Sequence, residues 1–190
     1  MQDDLALKQL IASAQVLGIQ NDPSIPAGDR QILRIADEQK RALSATEIQQ
    51  ICSSSNVDGQ LTERLQIKAN QLVQQARDFL LREQPHLVQP GGALFPSERA
   101  EACWRDCWQF FRVIVYALAC RRPQFTDPVG MGALRALYAH VGVPLEGLNI
   151  ALSQLKILTR QEVMGPTEDQ LLSESFDHLL GELNKSAVKT

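Results

Sequence analysis

The stretch EACWRDCWQFFR, residues 101–112, sets two cysteines, two tryptophans, two arginines and one aspartate within twelve residues. Its continuation, VIVYALAC, is apolar at almost every position. Together the two predict one long helix that ends near Cys120. Residues three or four apart on a helix share a face. Cys103, Asp106 and Cys107 therefore line up, Phe110 extends their stripe, and Trp104, Trp108 and Phe111 form a neighbouring apolar strip. Core packing, a metal site, a redox pair and a bound organic group are all open readings of this pattern. Aromatics and cysteines at this spacing usually pack a core. Asp106 fits that reading poorly, because a carboxylate amid apolar surface needs a partner. Arg105, Arg112 or a ligand rich in N–H donors would supply one.

The metal reading is short of ligands. Two cysteines at i, i+4 can share a zinc ion, but a structural site wants four donors. His86, His140 and His178 do not fall at ligand spacing. A Cys103–Cys107 disulfide is disfavoured, since helical geometry holds the two sulfurs in a poor relation. A cysteine–histidine enzyme would need a histidine brought in from a distant part of the chain.

Working outward, the chain has 190 residues, 44% hydrophobic and 22% charged, enough to fold as one body without staples. A net charge of -3 supplies no global basic field, which disfavours nucleic acid as a partner. The opening MQDDLALKQL is acidic where a secretory signal would be basic, so no leader is expected. No apolar run approaches the roughly 18 residues of a membrane span. Four cysteines without secretory features point to free thiols in a reducing cytosol.

Helical periodicity dominates and alternating strands are absent from the pattern. Helices are expected at 4–17 with Gly18 as its stop, 30–42, from the Ser44–Glu47 capping box to about 52, 60–83, 97–120 with Ser97 as its cap, 130–140, 145–160 and 167–184. Residues 19–29 read as a linker and 85–96 as an irregular loop, from their Pro, Gly and Asn content. Eight or so helices on loops of differing length predict a globular all-α fold rather than a coiled coil. Residues 1–28 then form an N-terminal extension and 29–190 the main domain.

The residues also carry a family likeness. Cys103-Trp104-Arg105-Asp106 resembles the C-x-R-D bilin-attachment motif of phycobiliproteins, the light-harvesting pigment proteins of cyanobacteria and red algae. Arg112 and Tyr116 are similar to the family's arginine and tyrosine on the same helix. Ala36-Asp37, Arg41, Leu43-Ser44 and Glu47 resemble its N-terminal pattern, and Pro90-Gly91-Gly92 the loop before the pigment helix in allophycocyanin. Leu137-Tyr138, Gly142-Val143-Pro144 and Leu155-Lys156 are similar to its final block. The blocks occur in the family's order and span about residues 32–180.

The resemblance implies a globin-like helical bundle with additional N-terminal helices, and no catalysis. It implies a linear tetrapyrrole of the phycocyanobilin type, thioether-linked to Cys103. Asp106 would then accept from the pyrrole N–H groups, and Arg105 would reach a propionate. Asp37 and Arg112 would help pair the chain with a homologous subunit or itself. Other phycobilisome components would be its further partners, in the cytoplasm or at the cytoplasmic face of the thylakoid membrane.

The chain departs from the family pattern at Trp104, Trp108, Gln109 and Phe110, in the extra thiol of Cys107, and in Ala119-Cys120-Arg121-Arg122, where an acid is common. The indole of Trp108 is expected to take part of the pigment volume. The N-terminus is longer by roughly two dozen residues, enough for one more helix. The same likeness admits a second reading: a pigment-free paralogue acting in assembly, degradation or scaffolding, with the added helix as its docking element. A third is a noncovalent haem or tetrapyrrole binder using His86 or His140.

Overall fold

The computed structural model describes residues 2–185, with side chains from Leu5 onward. Met1 of the expected extension and residues 186–190 of the expected main domain lie outside them. The described residues form eight α-helices and no β-strand. In chain order these are α1 (Gln2–Ser13), α2 (Ala27–Glu38), α3 (Ala45–Ser55), α4 (Gly59–Glu83), α5 (Ser97–Ala119), α6 (Pro128–Val141), α7 (Leu145–Arg160) and α8 (Pro166–Leu183). Single 3-10 turns sit at Ile19–Asn21 and Pro85–Val88.

The second half of α5 is the axis of the molecule. Every residue from Phe110 to Ala119 is buried, as a helix apolar on all sides but for Arg112 and the hydroxyl of Tyr116 requires. It packs against α3, α4, α7 and α8, and α4 in turn packs along α7. The α2–α3 pair covers one end, while α1 lies on α6.

Local chemistry explains most boundaries. The Ser44–Glu47 capping box forms as expected: Ser44 Oγ accepts from the Glu47 amide, and Glu47 accepts from the Ser44 amide at 2.7 Å. Asp127 caps α6, accepting from the Gly130 amide at 2.6 Å. Ser97 does not cap α5; Pro96 holds the cap position, and the serine hydroxyl turns to Glu98. The first helix stops at Ser13 rather than at 17. The chain beyond it pairs with the α5–α6 connection instead: Gly18 N–H donates to Phe125 O at 2.7 Å, and Asp127 N–H donates to Val16 O at 2.8 Å. The expected linker is well packed, with Ile19 and Ile25 buried in the same core as Leu17.

Candidate functional site

The first half of α5 is amphipathic, with Glu101 and Arg105 exposed and Cys103, Trp104 and Cys107 buried. Cys103 is 8% exposed and stands on the wall of a cavity of about 500 Å³. Small-molecule sites commonly span roughly 300–1,000 Å³. Arg105 and Asp106 share that wall. The opposite side comes from Leu137, Tyr138 and Val141 of α6 and from Val143 and Pro144 just beyond it. Ala93 and Leu94 line one end, Leu7 and Ile11 of α1 overhang it, and the cavity stays partly open to solvent.

Backbone geometry places the loop that carries Ala93 and Leu94. A side chain at position 92 would put its Cβ 2.2 Å from His86 O, so only glycine permits this turn. Leu94 N–H then donates to Leu87 O at 2.8 Å. Arg99 clamps the result: its Nε donates to Ala93 O at 3.0 Å, and its Nη2 to Val141 O and Gly142 O at 3.1 and 2.9 Å. Those last two carbonyls belong to the C-terminus of α6, where helical partners run out and a cation is favoured. One exposed arginine thus joins three walls of the cavity.

Asp106 accepts a hydrogen bond from Tyr138 Oη at 2.7 Å. Burial lifts its carboxyl above the ordinary value, while the tyrosine hydroxyl and the nearby Arg105 charge oppose that lift. Tyr138 is driven upward by its own burial and then by the Asp106 charge, so it stays a hydrogen-bond donor. At the thiols, a hydrogen bond from Cys107 holds Cys103 below the usual thiol value, against burial and the Asp106 charge. The same bond raises Cys107 well above that value. Cys103 is the sulfur on the cavity wall and so the one of the pair that a ligand in the cavity can reach.

Three sequence-derived site residues, Cys103, Arg105 and Asp106, are thus brought together. Cys107 is buried behind them and is not on the wall. The Trp108 indole was expected to take part of the pigment volume, but neither tryptophan lines the cavity. Trp104 turns toward α4, where the Arg77 guanidinium lies 5.4 Å from its ring centroid, and Trp108 is also off the wall. Residues 104 and 108 share a helical face, and that face is not the one bearing Cys103. Neither His86 nor His140 lines the cavity. Among the described residues no three His, Cys, Asp or Glu side chains gather as for a metal ion.

Asp37 and Arg112 meet one another within the chain, at 2.7 Å, both nearly sealed from solvent. Arg112 also donates to Tyr116 Oη and Gln109 Oε1, at 2.8 Å each, and Tyr116 donates to Arg41 O. This network joins α2 to α5. The sequence reading had no site role for Tyr138, although it lies in a family-like block. It had none for Arg99 either, whose only signal is an arginine in a helical first turn, where a cation is unfavourable without another task.

The chain belongs to the phycobilisome protein family, whose model matches residues 31–183. That family comprises light-harvesting pigment proteins, not enzymes. The chain is 33% identical over 119 residues to the allophycocyanin subunit beta-18 of Nostoc sp., covering 62% of this chain and 70% of that one. It is 25% identical over 151 residues to the allophycocyanin alpha chain of Mastigocladus laminosus, covering 78% and 94%. Among solved structures it is similar to a far-red fluorescent biliprotein derived from an allophycocyanin F subunit of Chroococcidiopsis thermalis. That likeness has a TM-score of 0.61 at 23% identity, over 67% of this chain and 96% of the other. The architecture is accordingly the globin-like phycobiliprotein fold. No helix of the described residues is long and apolar enough to cross a membrane.

Proposed function

We propose that this chain is a light-harvesting subunit, in or near the phycobilisome, that holds a linear tetrapyrrole covalently at Cys103. One observation carries the reading: the Cys103 thiol and a carboxylate one turn on share the wall of a mostly apolar cavity of about 500 Å³. The group, when bound, supplies the conjugated absorber and the unsaturated substituent that Cys103 Sγ would join as a thioether. Asp106, held by Tyr138, presents its remaining acceptor capacity to pyrrole N–H groups and favours their protonated state. Arg105, exposed at the rim, offers a fork for a propionate. The apolar walls exclude water and restrict rotation of whatever lies between them.

Partnership with a homologous subunit belongs to the same proposal. Asp37 and Arg112 would serve it by fixing the angle of α2 against α5, and with it the face that α2 and α3 present to a partner. The family model matches residues 31–183, and residues 1–28 would then be an extension added to that body.

Co-expression with tetrapyrrole-synthesis enzymes and an attaching lyase tests the assignment. Intact mass should rise by one tetrapyrrole, and the band should fluoresce with zinc after denaturation in acid urea. Cys103→Ser should abolish both signals and Cys107→Ser should retain them. An unlabelled parent chain beside a labelled control subunit, or the reverse pattern in the two variants, would sink the reading.

A further inference from the structure

The extension before the family match does not hang free. Its tail is fastened to the body over a few residues. A Cβ at Gly130 would lie 2.2 Å from Gln15 O, and one at Gly18 would lie 2.6 Å from Thr126 O, so the backbones of 15–18 and 126–130 are in direct contact. Gly18 and Val16 add backbone hydrogen bonds to the same segment, and Leu17 is fully buried.

The helix in front of that anchor lies along α6, but its side chains are far less buried than those of the anchor. Leu5 and Ile11 remain 58% and 57% exposed, and Leu7 and Leu10 are only half-buried. Yet Leu7 and Ile11, one turn apart, line the cavity that contains Cys103. A firm anchor, a break in the helix after Ser13 and a helix that rests mainly on α6 with its apolar side chains largely exposed, across a reactive site, make a hinged cover.

We propose that α1 is a lid over the Cys103 cavity, pivoting at Ala14–Gln15, and that Leu7 and Ile11 are the side chains that hold it shut. A bulky ligand reaches Cys103 only when the lid lifts, and the lid then closes on the ligand as its outer wall. The inference rests on the tetrapyrrole reading for what passes the lid, but not for the motion itself. A chain that gates its thiol and never takes up pigment would keep this inference and lose the other.

The test measures alkylation of Cys103 in the full chain by a bulky fluorescein maleimide, with each cysteine followed by peptide mass. Leu7→Glu/Ile11→Glu should raise the Cys103 rate by about tenfold or more, because two apolar contacts that hold the closed state become charged. Ala6→Gly/Ala12→Gly, which leaves the wall intact and weakens the helix itself, should raise it several-fold in the same direction. Buried Cys52 and Cys120 report on the body and should keep their parent rates. An unchanged Cys103 rate in both variants overturns the lid, as does a rise shared equally by Cys52 and Cys120.

Discussion

Glu47 shows how one side chain can complete two devices. It accepts from both terminal nitrogens of Arg41 at 2.7 Å each, and it closes the capping box of α3 through the Ser44 amide. The Arg41 guanidinium, with help from Ser44, holds its carboxyl down to about 2 from an ordinary 4.5. A carboxyl lower in the folded chain than in the unfolded one stabilises the fold above pH 4.5, and that contribution is lost as pH falls toward about 2. Arg41 is a third exposed, so solvent screening limits the gain to about 1 kcal/mol. Glu47→Gln should therefore lose about 1 kcal/mol in urea unfolding near neutral pH, with the gap to the parent closing across that acid window. Glu47 was legible as a cap from Ser44-Ala-Thr-Glu alone, because a capping box is local. Its grip on Arg41, six residues back, depends on the turn between α2 and α3, which spacing does not specify.

Among the elements, α2 and α5 are joined by a charge pair sealed from water. Removing one partner of such a pair strands the other, at about 3–5 kcal/mol, whereas replacing both with apolar groups is often neutral. Arg112→Met should thus lose about 3–5 kcal/mol in urea unfolding. Asp37→Leu added to it should recover most of that loss, and a double-mutant cycle measures the coupling directly. Additive losses would show that the pair contributes nothing as a pair. Helix existence was readable from periodicity, since burying one face imposes the same 3.6-residue rhythm on every amphipathic element. Ends were harder. The first helix stops early because residues 16–18 find better partners in 125–127, and Ser97 yields the cap because the preceding Pro96 already turns the chain. Both outcomes depend on segments far apart in sequence or on a backbone angle that composition does not encode.

At the level of the whole molecule, residues 15–18 and the start of α6 meet at Gly130. Gly130→Ala should cost about 1–3 kcal/mol in thermal or urea unfolding, as its methyl must displace Gln15. Gly181→Ala, inside α8 with nothing within 4 Å of the new methyl, should instead stabilise by about 0.5–1 kcal/mol. Opposite signs from one chemical change would locate the junction. The cavity's floor was legible, because Cys103 and Asp106 share a helical face by spacing alone. Its roof was not: an amphipathic helix announces that it will cover something, and only the packed chain shows that α1 covers this. Nor does a helical wheel reveal how far the strip beside Cys103 turns toward α4, so Trp108 was expected nearer the hollow than it lies.

The division of α5 into two halves has a historical reading. At Ala102, Cys103, Arg105 and Asp106 its side chains border the hollow, and a changed residue there disturbs little of the packed core. From Phe110 to Ala119 each atom is hemmed in by four other helices, and drift is penalised at once. A lineage descending from this chain would lose the chemistry of its hollow long before it forgot its shape.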